Sequence, residues 1–159
     1  MEKELKIHYV EYDEQDLPQA DRDLLAKAAQ MAQTAYAPYS RFKVGAALRL
    51  KNGVVVCGSN QENAAYPSGL CAERVAVFSA AANYPDQQIE ALAITAVTSK
   101  PINHPIAPCG ACRQSILEYE HKFSHPIRLI LRGSSGKVAV FDSIESLLPF
   151  QFNNEELDF

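Results

Sequence analysis

Two short stretches decide the fold: LCAER at residues 70–74 and PCGACRQ at residues 108–114. Cys109 and Cys112 have the commonest spacing for a pair of zinc thiolates, and one helical turn brings both sulfurs to the same ion. With Cys71 they make three thiolates, which hold a zinc ion and leave its fourth position open, as a catalytic zinc requires. We therefore expect the rest of the chain to bring the two stretches together.

Each stretch lies at the N-terminus of a predicted helix. Residues 71–82 are rich in alanine and valine, with apolar side chains nearly all round, and residues 110–120 predict a second buried helix. A helix N-terminus presents free N–H groups and a positive dipole end, so two such ends favour a dense anionic centre between them. The pattern places the three thiolates where the backbone stabilises negative charge.

Strand patterns occupy much of the remaining chain. Asn52-Gly53 lies between two apolar runs and is a strong hairpin signal. Hairpin strands pair antiparallel, whereas strands joined across a helix can run parallel. The order of elements predicts an α/β fold, a three-layer α/β/α arrangement with a five-stranded mixed sheet. The predicted elements are a helix at 21–35 with Asp21 as its N-cap, strands at 44–50, 54–57, 89–98, 127–131 and 138–141, and a short helix at 143–148.

Residues 1–159 are expected to form a single domain with an N-terminal arm at residues 1–20. In the arm, Leu5, Ile7 and Tyr9 alternate with polar residues, which is a strand-like period. Two interpretations stay open, a loose arm and an added edge strand.

The composition narrows the range of partners. The formal net charge is -4 and the pI is about 5.5, which argues against a nucleic-acid polymer as partner. No stretch is apolar enough to cross a bilayer, and the N-terminus lacks the pattern of a signal peptide. We expect a cytoplasmic protein with no membrane partner, whose four cysteines serve a metal or catalysis rather than disulfides.

The cysteines allow two other interpretations. Cys109 and Cys112 could form a redox pair of the thioredoxin type, although Cys71 would then be unexplained. Cys57 could be the fourth ligand of a closed structural zinc site, although it lies in an apolar strand, where a thiol acts as a small hydrophobic side chain. The four histidines lie outside both motifs and are expected on the surface or in loops.

Three charged residues lie beside the thiols. Glu73, two residues past Cys71, is close enough to work on a metal-bound water without ligating the metal. Three thiolates and one Zn²⁺ sum to a charge of about −1, so Arg74 and Arg113 are expected to donate to the sulfurs and offset it. The alternatives are an ordinary first-turn glutamate and two surface arginines.

Together these motifs resemble the zinc-dependent cytidine deaminase family, in its small homotetrameric branch with three cysteine ligands. The resemblance runs from about residue 36 to residue 157 and includes YAPYSRFKVGAA at 36–47, NQENAAY at 60–66 and LLPFQF at 147–152. It implies the cytidine deaminase fold, a homotetramer, and one Zn²⁺ per subunit held by Cys71, Cys109 and Cys112.

The resemblance also implies the chemistry and the substrate contacts. The reaction is hydrolytic deamination of cytidine and 2′-deoxycytidine to uridine and 2′-deoxyuridine in pyrimidine salvage, with Glu73 carrying protons. Asn60 and Glu62 match positions that hydrogen-bond the ribose hydroxyls. Other matching positions are Phe42 and Tyr66 near the substrate, the backbone of Ala72 and Ala107 beside the base, and Phe152, an aromatic contributed by a neighbouring subunit.

Purely structural roles for the same residues stay open, as do other functions. From the residues alone, the three aromatic side chains fit a hydrophobic core equally well, and residues 60–62 fit a solvated loop. Three rival functions also remain: a deaminase of another small substrate such as the nucleoside antibiotic blasticidin S, a polynucleotide-editing deaminase, and a non-catalytic zinc-stabilised interaction domain. The Asn60/Glu62 pair argues against the first rival and the acidic charge against the second.

Overall fold

The computed structural model describes residues 1–157, in which six strands form one mixed sheet with helices on both faces. No helix of this described part combines the length and apolar character that a membrane crossing needs. The elements are β1 (Val10–Tyr12), α1 (Gln19–Ala32), β2 (Lys43–Leu50), β3 (Val55–Ser59), α2 (Ala72–Asn83), β4 (Ile89–Val97), α3 (Gly110–Phe123), β5 (Arg128–Arg132) and β6 (Val138–Phe141), with short 3-10 turns at Glu14–Asp16, Tyr66–Ser68, Ile144–Leu147 and Asn154–Glu156.

The strands lie in the order β1-β6-β5-β4-β2-β3. β4 and β5 are parallel and are joined by α3, as expected for strands connected across a helix. The other neighbouring strands are antiparallel. The predicted hairpin joins β2 to β3, where Gly53 has a φ of 84° and donates its N–H to the Leu50 carbonyl at 2.8 Å.

The helices complete the three layers that the sequence predicts. α1 packs on one face of the sheet through Leu24, Leu25 and Ala28. α2 and α3 pack on the opposite face. Neighbouring residues of β2 alternate between the two layers, with Leu48 in the α2–α3 core and Ala47 in the α1 core. Because both faces of the sheet are covered, β4 is a nearly continuous apolar run.

The sheet has six strands rather than the predicted five, because the N-terminal arm adds one. β1 pairs antiparallel with β6, and Tyr9 stacks on Phe141 with the ring centroids 5.1 Å apart. The edge-strand interpretation of the arm is confirmed, but the strand begins at Val10, after the alternating residues. Leu5 and Ile7 lie beside the C-terminal segment around Pro149 and do not pair with β6. The position of the free edge of β6, rather than the alternating pattern in the sequence, therefore decides which residues of the arm form the strand.

The first helix begins earlier than the sequence predicts. Pro18 is its N-cap residue, and the Pro18 carbonyl accepts the Asp21 N–H at 3.0 Å. The predicted cap, Asp21, is 3% exposed and forms an ion pair with Arg128 of β5 at 3.0 Å. The Asp21 carboxylate therefore ties α1 to the sheet instead of capping the helix. The short helix predicted at 143–148 is the 3-10 turn at Ile144–Leu147, and the Ser143 side chain caps it by accepting the Glu145 N–H at 3.1 Å.

Two strand glycines let the helices lie directly on the sheet. A Cβ atom at Gly58 of β3 would lie 2.6 Å from the Ala72 oxygen and 2.6 Å from the Ala76 nitrogen of α2. A Cβ atom at Gly45 of β2 would lie 1.9 Å from the Ala28 oxygen of α1. All three of these neighbours are backbone atoms, which cannot rotate away as a side chain can. Gly58 thus fixes the depth of the α2 N-terminus, where the first cysteine stretch lies.

We predict that Gly58→Ala destabilises the protein by about 2 kcal/mol or more, because the added methyl group pushes α2 away from β3. The measurement is urea unfolding of the metal-free protein. Gly110→Ala is the matched control, since a Cβ atom there meets no heavy atom of the described residues within 4 Å. Equal stability of Gly58→Ala and wild type would contradict the close packing of α2 on β3.

Candidate active site

The three predicted zinc ligands meet at the N-termini of α2 and α3. Cys71 is the N-cap residue of α2, Cys109 is the N-cap residue of α3, and Cys112 lies in the first turn of α3. The Cys109 sulfur lies 3.8 Å from the Cys71 sulfur and 3.5 Å from the Cys112 sulfur. Within residues 1–157, this is the one group of three or more cysteine, histidine or carboxylate side chains close enough together to hold a metal ion.

The charge on these thiols dominates the electrostatics of the site. Hydrogen bonds from Cys112 and Arg74 lower the pKa of Cys71 to about 5, against the opposing effect of burial. The pKa of Cys112 is raised, because its proton is shared with Cys71 and the thiol is buried. A divalent cation removes the repulsion among the sulfurs and allows all three to ionise.

The sulfur positions fit a zinc ion. A zinc ion bound tetrahedrally at about 2.3 Å separates its sulfurs by about 3.8 Å, close to the spacings seen here. Thiolate ligands also favour zinc over the hard cations Mg²⁺ and Ca²⁺. Cys57 is not a fourth ligand, because it packs against the α1 core on the other face of the sheet, where burial raises the pKa of its thiol. The interpretation as a closed four-cysteine site is therefore wrong.

Glu73 lies in the first turn of α2, two residues past Cys71. It is only 5% exposed, and burial raises the pKa of its carboxyl group to about 7. Negative charge on Cys71 contributes to this increase, but less than burial does. A carboxyl group that titrates near neutral pH can both accept and release a proton, which is what a general acid–base group must do.

A cavity of about 670 Å³, which we call the Glu73 cavity, adjoins the thiols and Glu73. Its size lies in the usual range for small-molecule sites, and its walls are apolar with a few polar groups among them. Seven predicted site residues besides Glu73 itself line it: Phe42, Asn60, Glu62, Cys71, Ala72, Ala107 and Cys109. The structure thus brings together residues from three distant parts of the sequence.

The two arginines behave differently. Arg74 donates to the Cys71 sulfur across 3.9 Å, as expected for a residue that offsets the charge of the thiolates. Arg113 makes no such bond to a sulfur among the described residues. It donates instead to the carbonyl oxygens of Pro108 and Leu147, each at 2.8 Å. Arg113 therefore fixes the backbone before Cys109, which differs from the expectation that it contacts a sulfur.

The side chains of Asn60 and Glu62 are held by the segment before and at the start of β2. The Asn60 side chain accepts the Val44 N–H at 2.8 Å and donates to the Phe42 carbonyl at 2.9 Å. The Glu62 carboxylate accepts the Tyr39 N–H at 2.8 Å, and hydrogen bonds from the Ser40 side chain and backbone help to lower its pKa. Both polar groups line the Glu73 cavity and are held by these hydrogen bonds within the chain.

Tyr66 and Phe152 lie outside the Glu73 cavity. Tyr66 is 74% exposed and lines a neighbouring groove of about 530 Å³, where it meets Tyr39 edge-to-face with the centroids 5.8 Å apart. Phe152 is 57% exposed, and its carbonyl accepts a hydrogen bond from Gln114 at 2.7 Å. Neither ring belongs to the core of its own subunit, so the interpretation of these two as core residues is wrong. Phe42, in contrast, lines the cavity.

The structure adds cavity residues that the motifs did not single out. Ser40 lies within the YAPYSRF stretch and contacts Glu62. His104, expected in a loop, is exposed but lines the Glu73 cavity with Pro105 and Ile106. For His104, Pro105 and Ile106, the one signal in the sequence was their position directly before Ala107 and the second cysteine stretch.

Comparison with known families decides the identity of this site. A model described as "Cytidine and deoxycytidylate deaminase zinc-binding region" matches residues 18–124, which is 107 of the 159 residues. The match includes both cysteine stretches and Glu73. The chain belongs to this deaminase family.

Curated relatives of this deaminase match over nearly their whole length. The cytidine deaminase of Halalkalibacterium halodurans is 40% identical over 139 residues, which cover 87% of this chain and 98% of the relative. The cytidine deaminase of Sporosarcina psychrophila is 39% identical over 137 residues, covering 86% and 93%.

Solved structures agree with the deaminase fold. The crystal structure of cytidine deaminase from Burkholderia pseudomallei has a TM-score of 0.72 at 40% identity and covers 86% of this chain and 100% of that one. Cytidine deaminase from Mycobacterium tuberculosis has a TM-score of 0.63 at 32% identity, covering 82% and 95%. Family membership and the three-cysteine cluster together identify Zn²⁺ as the cofactor of this deaminase.

We predict that Cys109→Ala abolishes stoichiometric zinc binding and lowers thermal stability, because metal binding and folding are coupled. Metal content is measured by elemental analysis after dialysis, and stability by thermal unfolding with and without added zinc. The matched control is Cys57→Ala, which removes a thiol on the far face of the sheet and should retain one zinc per chain. Full zinc content in Cys109→Ala would contradict the ligand assignment.

Proposed function

We propose that this deaminase hydrolyses cytidine and 2′-deoxycytidine to uridine and 2′-deoxyuridine with release of ammonia. The observation that carries the proposal is the position of Glu73. A buried carboxyl group with a pKa near 7 and two of the three clustered thiols, Cys71 and Cys109, line one cavity large enough for a nucleoside. The names of the curated relatives support cytidine as the substrate.

The three thiols form the metal site of the proposed reaction. Cys71, Cys109 and Cys112 would hold the zinc ion, which would supply Lewis acidity that makes water a better nucleophile. The two helix N-termini stabilise the anionic sulfurs, and Arg74 donates to Cys71 and offsets part of their charge. We assign Arg113 the indirect task of holding the Pro108 carbonyl, and with it the backbone that leads into Cys109.

Glu73 moves the protons. In the proposed reaction its carboxylate takes a proton from the attacking water and delivers it to ring N3 of the cytosine. The water oxygen adds to C4 as a hydroxyl group. Glu73 then takes the proton of that hydroxyl group and gives it to the exocyclic amine. The bond between C4 and that nitrogen breaks, ammonia leaves, and the oxygen remains as the C4 carbonyl of the product. Its burial suits this work, because the same group must accept and donate at neutral pH.

The cavity walls position the two halves of the substrate. We propose that the backbone groups of Ala72 and Ala107 contact the base and that Phe42 packs near it, since all three residues line the Glu73 cavity. Asn60 and Glu62 then meet the sugar hydroxyls. A preference for nucleosides over free cytosine follows, because Asn60 and Glu62 serve only a substrate that carries a sugar.

We further propose a homotetramer with sites shared between subunits. Tyr66 and Phe152 expose large aromatic surfaces that neither the core nor the Glu73 cavity of their own subunit uses. Phe152 would reach the substrate of a neighbouring subunit, and Tyr66 would line the groove beside that site. Residues 1–159 would act as one domain in the cytoplasm, in pyrimidine salvage, with no membrane or nucleic-acid polymer as partner.

We predict that Glu73→Gln lowers kcat for cytidine roughly a thousandfold while zinc content and fold are retained, because an amide cannot accept and return a proton. Turnover is followed by the ultraviolet change on deamination. Asp23→Asn, at an exposed carboxylate on α1, is the control for loss of a negative charge and should keep full activity.

The same assay compares cytidine, 2′-deoxycytidine, cytosine and blasticidin S. Turnover of the two nucleosides well above that of the others is expected. Turnover of blasticidin S alone would move the proposal to the rival substrate. A wild-type protein that binds zinc but deaminates none of the four would favour the non-catalytic interpretation.

We predict that Phe152→Ala lowers kcat/KM for cytidine about tenfold or more, since it removes an aromatic contact from a shared site. Phe150→Ala, two residues away and 93% exposed, is the control and should have a smaller effect. Size-exclusion chromatography with light scattering reports the oligomeric state in parallel. A fully active monomer would exclude the shared site.

A further inference from the structure

The segment from Tyr39 to Phe42 wraps around the carboxylate of Glu62. Glu62 Oε2 accepts the Tyr39 N–H at 2.8 Å and the Ser40 N–H at 3.2 Å. The other oxygen, Oε1, accepts a short hydrogen bond from the Ser40 hydroxyl. Three donors from two consecutive residues thus hold one side chain that lies 22 positions further along the sequence.

The backbone of this segment is arranged so that these donors face Glu62. Arg41 has a φ of 57°, in the left-handed region that residues other than glycine rarely adopt, and its N–H donates to the Ala37 carbonyl at 3.0 Å. The Phe42 N–H donates to the Ser40 hydroxyl oxygen at 3.0 Å. Every N–H from Tyr39 to Phe42 therefore has a partner, and the strained residue lies at the turn.

The backbone of Glu62 is fixed as well. Its N–H donates to the Tyr36 carbonyl at 2.9 Å, and the Tyr36 N–H donates to the Asn60 carbonyl at 3.1 Å. With the main chain and the carboxylate both held, the remaining freedom of Glu62 is small. A carboxylate has about four acceptor positions, so three donors leave about one position free, on Oε1. That position shares its oxygen with the Ser40 hydroxyl.

We propose that Ser40 is a positioning residue for sugar recognition: its hydroxyl orients Glu62 so that one acceptor position on Oε1 is directed to a hydroxyl group of the nucleoside sugar. This inference rests on the proposed function and extends it to a residue with no assigned role. Ser40, Glu62 and Asn60 line the Glu73 cavity together, so the held carboxylate lies at the cavity wall. Removing the Ser40 hydroxyl leaves Oε1 free to turn away or to bind water.

The test compares substrates with and without the 2′ and 3′ hydroxyl groups of the sugar. Ser40→Ala is expected to lower kcat/KM for cytidine about tenfold, mostly through a higher KM, and to change kcat/KM for 2′,3′-dideoxycytidine less than twofold. Ser40 is exposed, so Ser40→Thr has room for its extra methyl group and should restore cytidine kinetics to within about threefold of wild type. Zinc content and thermal unfolding confirm that each variant is folded.

A double mutant isolates the path through Glu62. In the Glu62→Ala background, adding Ser40→Ala should cause no further loss with cytidine, because the group that Ser40 orients is gone. Equal losses for cytidine and the dideoxy substrate, additive losses in the double mutant, or a Ser40→Thr protein as impaired as Ser40→Ala would each overturn the inference. Wild-type protein inactive on cytidine would instead refute the proposed function, so the two failures are distinguishable.

Discussion

Mutual repulsion among three sulfur atoms within 4.8 Å of one another is the constraint on which the rest of the site depends. Three positively charged features around the cluster reduce this repulsion. Two helix N-termini direct positive dipole ends at the sulfurs, Arg74 donates to Cys71, and zinc supplies the remaining positive charge. Burial, with a smaller contribution from negative charge on Cys71, raises the pKa of Glu73. The clustered sulfurs therefore act both on the metal and on the carboxyl group proposed to carry protons.

The sheet provides the rigidity that this arrangement needs. α2 lies against β3 with no side chain between them at Gly58, so the position of Glu73 is set by contact between backbone atoms. α3 connects the parallel strands β4 and β5 and carries Cys112 as a fully buried residue. Arg113 then ties the start of α3 to the Leu147 carbonyl near the C-terminus. The cluster is thus held from several directions, which is what a preorganised site requires.

The proposed recognition of the substrate sugar depends on a different kind of contact. Asn60 and Glu62 lie in a connecting segment, yet their side chains are bonded to the residues just before β2. Those bonds explain why a polar stretch that fits a solvated loop in the sequence is ordered in the structure. The sequence could not predict them, because hydrogen bonds between residues 16 to 23 positions apart depend on how the strands register. The left-handed backbone conformation of Arg41 could not be predicted either, because arginine has no preference for that region.

The sequence by itself determined that three cysteines cluster, that Glu73 lies beside them, that a helix begins at each cysteine stretch, and where most of the strands lie. These features rest on local spacing, because one helical turn links Cys109 to Cys112 and two residues separate Cys71 from Glu73. Only the tertiary structure decided that Asp21 pairs with Arg128 rather than capping α1, that Arg113 holds carbonyl oxygens, and that the arm adds a sixth strand. The physical reason is that charged donors and free strand edges take whichever partner the completed fold brings near them, and no local pattern encodes that partner.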